Sequence, residues 1–335
     1  MKHGIFRCAA LLTLLVGATM WWLWQDMQRL LQQPVHLTDT YIYTIETGMT
    51  LRTVSEDLAA NGLLDKPLYL IVAGRRQGVA NKLKAGEYEI QPGTTALQLL
   101  DQFVAGKVVQ YTLTLLEGWS FTQVMEAVTN CNQLVHTLTA SDDSGQVMAA
   151  LGYPDLAAEG QFSPDTYHFP AGTTDVEFLR RSNRLLIRIL EAEWQQRASD
   201  LPYQIPYDAL IMASIIEKET ARVDERGEIA GVLVRRLQQG IKLQTDPTVI
   251  YAMGKSYNGN IMNKDLEIDS PFNTYRYKDL PPTPIALAGR ESIYAALHPE
   301  GGSALYFVSM GDGSHYFSST LEEHNRAVAK YQLGK

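Results

Sequence analysis

The sequence predicts a mixed α+β fold with an N-terminal transmembrane helix, a small α+β module and a larger α+β domain. Three observations support this prediction. An uncharged apolar run stands near the N-terminus, and short strand-like segments alternate with capped amphipathic helices over residues 40–107. In the second half, a helix that is apolar around most of its circumference runs into a glutamate pair, which is typical of a buried core helix.

Composition limits the function classes. The 335 residues carry 29 basic and 37 acidic side chains, so the net charge of −8 argues against nucleic-acid binding. The basic pairs Arg75-Arg76 and Arg235-Arg236 are interpreted as solvated helix faces. Two cysteines and no Cys/His cluster predict neither a disulfide framework nor a metal site. No phosphate-binding glycine loop or Ser-His-Asp signature is present, so we expect no cofactor.

The N-terminus predicts a membrane anchor. After Lys2 and Arg7, an uncharged run of about 17 residues extends from Cys8 to Trp24 and ends in three tryptophans, which favour the membrane interface. The place where a signal peptidase would cut lacks small residues, so an uncleaved anchor is favoured over a signal peptide or a buried soluble helix. We expect residues 1–25 to form a cytoplasmic tip and transmembrane helix, and 26–39 a linker.

Residues 40–107 predict a small module. Alternation predicts strands near Tyr41 and over Gly86–Ile90, Thr50 is a candidate helix cap, and helices are expected over Pro67–Arg76 and Thr95–Ala105. The string from Thr47 to Ala59 resembles the opening of a LysM peptidoglycan-binding repeat, so we predict a LysM-like module. A generic strand–turn–helix unit remains the alternative.

Residues 108–335 predict a second, larger domain. We expect a strand within Val108–Glu117, a helix capped by Ser120 and a long helix over Phe178–Arg197. Residues 137–149 are rich in Ser, Thr and Asp and are interpreted as a surface excursion, and residues 159–170 as a rigid, aromatic, proline-punctuated segment.

Two acidic side chains end the apolar helix of this domain. Burial at the helix end raises a carboxyl pKa, which is how such a group stays protonated and serves as a general acid. Glu217 and Glu219 are two positions apart, hence about 200° apart on a helix, so they do not form a glycosidase carboxylate pair. Glu217 continues the face of Ser214 and is expected to be the more buried, while Glu219 could pair with Arg222. A surface glutamate at a helix end is the alternative.

Two polar clusters follow. Gln244 and Asp246 precede an apolar run, where Asp246 or Thr245 could simply cap a helix with Pro247 at its first position. Asn273 and Tyr275 precede a stiff proline-rich loop of the kind that lines grooves. Amide and phenol side chains can hold sugar hydroxyls, and a structural loop is the alternative.

These segments together resemble the endolytic murein transglycosylase (YceG-like) family. The resemblance covers nearly the whole chain in a long ordered set of motifs, so it is specific. The matching segments are 159–167, 213–220, 243–251, 273–275, 280–282, 298–299, 305–308, 313–317 and 324–325.

The resemblance implies a peptidoglycan-cleaving enzyme. Members of this family cut the β-1,4 bond between N-acetylmuramic acid and N-acetylglucosamine within glycan strands. The muramyl 6-hydroxyl attacks the anomeric carbon, which leaves a 1,6-anhydro end and limits the length of nascent strands. By similarity Glu217 is the catalytic acid and base. The residues expected to hold substrate are Ser214, Glu219, Gln244, Asp246, Asn273, Tyr275 and His315.

The same resemblance implies a single-pass protein of the cytoplasmic membrane, with its catalytic domain outside the cytoplasm and penicillin-binding synthases as partners. Three other functions stay open. The chain could be a glycan-binding scaffold without activity, or a membrane-tethered assembly factor. It could also be a lysozyme-type hydrolase with Asp246 as the second carboxylate.

Overall fold

The computed structural model describes residues 2–138 and 143–334, with side chains from residue 10 onward. The chain divides into two compact units. The first comprises the residues up to Tyr111 together with His168–Gly172, and the second comprises Thr112–Tyr167 and the chain from Thr173 onward. The domain boundaries expected from the sequence stay predictions, although the first unit ends close to residue 107.

The first unit combines four helices with a two-stranded ribbon. Its strands pair antiparallel, with Tyr43 opposite Tyr88. Tyr43, Leu58, Tyr88 and Phe103 lie in the buried core between the ribbon and the helices. In chain order, the elements are α1 (Lys2–Gln32), β1 (Tyr41–Ile45), α2 (Leu51–Ala60), α3 (Pro67–Arg76), β2 (Gly86–Ile90) and α4 (Ala96–Ala105).

Helix caps set the ends of these elements. Thr50 accepts a hydrogen bond from the Thr53 backbone N–H at 3.2 Å, and Thr95 forms a reciprocal capping box with Gln98. Gly106 ends α4 in the left-handed conformation, at φ 72°, which a side chain would disfavour. The strands, helices and caps expected in residues 40–107 are therefore confirmed, whereas their LysM-like character stays a prediction.

Helix α1 differs from the expected anchor and linker. It continues through the segment interpreted as a linker, because Met27 and Leu31 are one helical turn apart and pack into the core with Val35. Trp21 and Trp22, at the end of the apolar run, are exposed. Within the side chains that the structure describes, no helix has the length and hydropathy needed to cross a membrane. The transmembrane prediction is therefore not confirmed.

The second unit is mainly helical. Strands β3 and β4 pair with each other, and strands β5 and β6 pair antiparallel, with Phe307 opposite Phe317. Its elements, including the strands that enter it from the first unit, are β3 (Tyr111–Leu115), α5 (Phe121–Thr129), α6 (Ser144–Leu151), β4 (Asp165–Phe169), α7 (Asp175–Gln195), α8 (Pro206–Glu219), α9 (Arg226–Gln238), α10 (Asp246–Met253), α11 (Arg290–Leu297), β5 (Tyr306–Ser309), β6 (His315–Ser318) and α12 (Leu321–Tyr331).

Helix α8 forms the centre of the second unit. Its residues 209–216 are all buried, and they pack with Leu186 of α7, Leu233 of α9 and Ala296 of α11. The prediction of a buried core helix is confirmed. Two local predictions differ from the structure. Residues 144–149 of the expected surface excursion lie in α6, while its residues 139–142 lie outside the described chain. Strand β4 forms within the segment interpreted as rigid and proline-punctuated.

Candidate active site

The C-terminus of α8 sets the direction of both glutamates. Thr220 is extended, at φ −141° and ψ 137°, so the helix ends at Glu219. Because α8 is helical up to that residue, the side chains of Glu217 and Glu219 leave it in widely different directions. The two carboxyl groups consequently have different surroundings.

Glu217 forms a buried ion pair. Its Oε1 accepts a hydrogen bond from Arg226 Nη2 at 2.9 Å, its Oε2 accepts the Gly289 backbone N–H at 2.9 Å, and its side chain is 4% exposed. Burial raises the pKa of Glu217, while the bond from the Gly289 N–H and the charge of Arg226 oppose that shift. Its carboxylate thus connects α8 to α9 and to the start of α11. Glu217 is not among the residues that line the cleft described next.

Glu219 lines a cleft of about 470 Å3. Its Oε2 is buried and has no hydrogen-bond partner among the described residues. Burial and then the charge of Asp246 raise the pKa of Glu219 to about 8, so this carboxyl group is largely protonated at neutral pH. The expected pair with Arg222 is wrong, because Arg222 binds Asp224 and Glu225 instead. The cleft is also lined by Arg236, Leu243, Gln244, Asp246, Tyr275, Tyr306, Phe307, Val308, Ser309, His315, Leu321, His324, Asn325, Val328 and Gln332.

Asp246 and Tyr275 form one side of this cleft. Thr245 is the residue before α10, and Asp246 and Pro247 occupy its first turn. The expected helix start is therefore confirmed, with Thr245 and not Asp246 at the cap position. The Tyr275 hydroxyl donates to Asp246 Oδ1 at 2.6 Å. Burial and this acceptor raise the pKa of Tyr275, so the phenol stays a hydrogen-bond donor. Asp246 is therefore a charged neighbour of Glu219 that Tyr275 fixes in place.

Arg236 lines the same cleft and is fixed by several hydrogen bonds. Its guanidinium donates to the backbone oxygens of Lys242 at 2.9 Å and Leu305 at 3.0 Å, and to Gln244 Oε1. Gln244 itself adopts a left-handed backbone, at φ 56°, which is uncommon for a side chain other than glycine. Arg236 is only 6% exposed, so the interpretation of this arginine as part of a solvated face is wrong.

His315 lies at the start of β6. Its Nδ1 is 2.7 Å from Glu225 Oε2, and its backbone N–H donates to Glu225 Oε1 at 3.2 Å. Its ring meets the Phe307 ring edge to face at 5.5 Å between centroids. The imidazole is therefore fixed by both a carboxylate and an aromatic neighbour.

Two of the expected substrate residues lie outside the cleft. Ser214 is fully buried, donates to the Ile211 carbonyl at 2.7 Å and accepts the Ile285 N–H at 3.0 Å. Asn273 is also fully buried, and its amide donates to the backbone oxygens of Leu266 and Ile268, each at 2.9 Å. Both side chains are satisfied within the protein, which is a structural role, so neither meets a sugar in this conformation.

The cleft thus unites five of the eight expected residues, namely Glu219, Gln244, Asp246, Tyr275 and His315. Sequence reasoning missed Arg236, and it named residues 305–308 and 324–325 only as matching segments. The Arg236 guanidinium lies 5.4 Å from the centroid of the Tyr306 ring, and Tyr306 stacks on His324 at 5.2 Å. An arginine within an otherwise apolar helix, such as Val234-Arg235-Arg236-Leu237, is a signal of burial that could have found it.

A polar cleft with aromatic walls and a neutral carboxyl group suits a carbohydrate better than a metal ion. Among the side chains of residues 10–138 and 143–334, no group of three or more His, Cys, Asp and Glu could hold a metal ion. The arrangement can donate a proton from Glu219 and a hydrogen bond from Arg236, and the Tyr275 oxygen can accept one.

A model of the YceG-like family matches residues 43–330. The chain belongs to this family. A YceG-like relative from Bacillus subtilis (strain 168), named endolytic murein transglycosylase, is 30% identical over 312 residues, which are 87% of this chain and 84% of that protein. A protein of the same name from Streptococcus pneumoniae serotype 2 (strain D39) is 26% identical over 324 residues, 87% of this chain but 58% of that protein.

A solved structure of the YceG-like family has a related fold. The 2.6 Å crystal structure of a YceG-like protein from Listeria monocytogenes matches with a TM-score of 0.55 and 30% identity. The match covers 86% of this chain and 99% of that chain. The mixed α+β architecture expected from the sequence is therefore that of a known YceG-like protein.

Proposed function

We propose that this YceG-like protein is an endolytic transglycosylase that cleaves peptidoglycan glycan strands. The observation that carries the proposal is the state of Glu219, which lines a large polar cleft and has a pKa raised to about 8. One of its carboxyl oxygens is buried and has no hydrogen-bond partner among the described residues. Such a group keeps its proton at neutral pH until a substrate oxygen takes it. The relatives from Bacillus and Streptococcus, which are named endolytic murein transglycosylases, support the substrate class.

Glu219 is the general acid of the proposed reaction. It donates its proton to the glycosidic oxygen between N-acetylmuramic acid and N-acetylglucosamine, and the bond from that oxygen to the anomeric carbon breaks. The carboxylate that remains lies beside the developing positive charge on the sugar ring. This assignment replaces Glu217, which was expected from the sequence, because Glu217 is already bound to Arg226 and Gly289.

The muramyl 6-hydroxyl completes the proposed reaction. Its oxygen bonds to the anomeric carbon and its proton passes to a base, so the product carries a 1,6-anhydro ring. A nucleophile within the same sugar needs no second carboxylate to activate water, because tethering already supplies a high effective concentration. Arg236 is positioned to donate a hydrogen bond to the sugar or its acetamide, and the Tyr275 oxygen, whose own proton is donated to Asp246, can accept one.

Product masses test this proposal. Purified sacculi are digested with the wild-type protein and with Glu219→Gln, and the muropeptides are weighed. Internal scission with 1,6-anhydro ends by the wild type, and at least a hundredfold less by the variant, is expected. Reducing ends would instead indicate hydrolysis with Asp246 as the second carboxylate, because Asp246 lines the same cleft. Binding without any scission would indicate a glycan-binding scaffold.

We also propose that α1 anchors the protein in the cytoplasmic membrane, with the second unit on the outer side. The exposed apolar side chains within residues 11–23 support this, since the described chain leaves them in contact with solvent. Fractionation of cells that produce the full chain tests the anchor, and protease added to spheroplasts tests the orientation. Release of the full chain by salt alone would contradict it.

Three finer roles complete the proposal. The enzyme acts on nascent strands and limits their length, penicillin-binding synthases are its partners, and the first unit binds glycan in a LysM-like manner. The length of glycan strands in cells that produce Glu219→Gln tests the effect on strand length. Crosslinking of the full chain tests the synthase partners, and binding of Glu219→Gln to sacculi tests glycan binding by the first unit.

A further inference from the structure

The Glu225 carboxylate fixes His315 by two contacts. One carboxylate oxygen lies 2.7 Å from the Nδ1 of His315, and the other accepts its backbone N–H at 3.2 Å. Both side chains are nearly buried, at 10% and 11% exposure. A carboxylate accepts hydrogen bonds only, so the proton of a neutral imidazole resides on Nδ1. The lone pair of the neutral ring is therefore on Nε2.

The Nε2 atom of His315 has no hydrogen-bond partner among the residues that the structure describes, and His315 lines the same cleft as Glu219. Phe307 and Phe317 surround the ring with apolar edges, at 5.5 and 6.4 Å between centroids. The fixed tautomer thus presents a hydrogen-bond acceptor to the cleft. The charged or titratable groups around this dyad and across the cleft are Arg222, Glu225, Asp312, Glu219, Asp246, Arg236, Tyr275 and His324.

The proposed reaction has one group that gains a proton and one that loses it. The glycosidic oxygen gains the proton of Glu219, and the muramyl 6-hydroxyl must lose its own as its oxygen bonds to the anomeric carbon. A neutral imidazole with a free lone pair is suited to accept that proton. The carboxylate behind it stabilises the imidazolium that forms, as in other carboxylate–histidine pairs.

We propose that His315, held by Glu225, is the base that removes the proton from the attacking hydroxyl. This inference rests on the proposed function. The glycosidic electron pair leaves with the Glu219 proton, the O6–H pair forms the new bond to carbon, and the O6 proton moves to Nε2. Solvent then returns a proton to Glu219 and removes one from His315, so the protein ends each cycle as it began.

The pH dependence of kcat/KM tests the dyad. The wild type requires protonated Glu219 and neutral His315, so its activity should fall on both the acid and the alkaline side. In His315→Gln the acid-side fall should disappear and kcat should drop at least a hundredfold, with KM changed by less than about fivefold. Glu225→Gln should keep His315 but lower kcat at least about tenfold, with KM changed by less than about fivefold, because the carboxylate that fixes the ring with its proton on Nδ1 and stabilises the imidazolium is gone.

Chemical rescue separates a base from a structural histidine. Free imidazole should restore part of the activity of His315→Ala, which a merely structural role would not allow. His36 provides a matched control, since its Nε2 lies 3.1 Å from Asp65 Oδ1 in the first unit, and His36→Gln should keep the wild-type profile. An unchanged kcat in a folded His315→Gln, or an acid-side fall that persists there, would overturn the dyad.

The outcomes distinguish the two proposals. If the wild type yields no anhydro products, the proposed function fails and the dyad fails with it. If the wild type cleaves, Glu219→Gln does not, and His315→Gln cleaves like the wild type, only the dyad fails. Should His315→Gln not fold, the kcat of Glu225→Gln decides, and a wild-type value there overturns the dyad.

Discussion

Replacement of Glu219 by glutamine should inactivate the protein and make it more stable. Burial raises the pKa of Glu219 from the usual 4.5 to about 8. A difference of about 3.5 pH units corresponds to about 5 kcal/mol, at about 1.36 kcal/mol per unit. That free energy is the extra cost of ionising the carboxyl group in the folded protein, compared with the same group in the unfolded chain. Glutamine has nearly the same shape and never ionises, so it avoids that cost.

The sign of the effect follows from proton binding. Between pH 4.5 and about 8, the folded state holds a proton on Glu219 that the unfolded state has released. Wild-type stability therefore falls as pH rises through this range. Compared with the wild type, Glu219→Gln should be equally stable below pH 4.5, more stable by about 3 kcal/mol at pH 7, and by about 5 kcal/mol above pH 8.

Urea unfolding of both proteins at pH 4, 7 and 9, with sacculus digestion at pH 7, measures these effects. The stabilisation should grow with pH while activity is lost at least a hundredfold. A variant that is less stable than the wild type at pH 9 would refute the buried, protonated state of Glu219. A variant that still cleaves would refute its role as the acid.

Three further predictions concern the neighbouring residues. Glu217→Gln leaves Arg226 without its buried partner and should cost about 3 kcal/mol in urea unfolding, yet the folded fraction should retain activity within about tenfold. Asp246→Asn removes a charge that raises the pKa of Glu219, so the alkaline-side fall in activity should move to lower pH in a pH–rate profile. Gly160→Ala places a Cβ at φ 72° and 2.4 Å from the Pro284 ring, which should lower stability by at least about 2 kcal/mol in thermal unfolding.

The sequence could predict those features of the fold that depend on residues close together in the chain, such as helix caps. Thr50 and Ser120 cap helices as expected, because a cap depends only on a few neighbouring residues. Strand β4 was missed because its five residues follow a proline and include His168, so propensity alone does not distinguish it from a loop. The extension of α1 was also missed, because the packing of Met27 and Leu31 depends on helices distant in sequence.

The candidate site could be predicted as a set of segments but not as a set of side chains. Gln244, Asp246 and Tyr275 line the cleft, whereas Ser214 and Asn273 bind backbone oxygens within the protein. Hydroxyl and amide side chains serve either purpose, and only the positions of their acceptors decide which. Those acceptors belong to loops far along the chain, so no local pattern reveals them.

The choice between Glu217 and Glu219 depends on the same kind of information. Helical periodicity requires the two side chains to diverge, but it does not say which one faces the cleft. That is decided by Arg226 at the start of α9 and the Gly289 N–H before α11, which occupy the side of α8 where Glu217 emerges. Arg226 and the Gly289 N–H each bind one carboxyl oxygen of Glu217, so neither oxygen is free to meet a substrate. Glu219 has a buried carboxyl oxygen without a partner and an acidic neighbour, Asp246, and both conditions keep its proton in place. The ion pair of the first glutamate thus fixes the end of the helix that presents the second to the cleft.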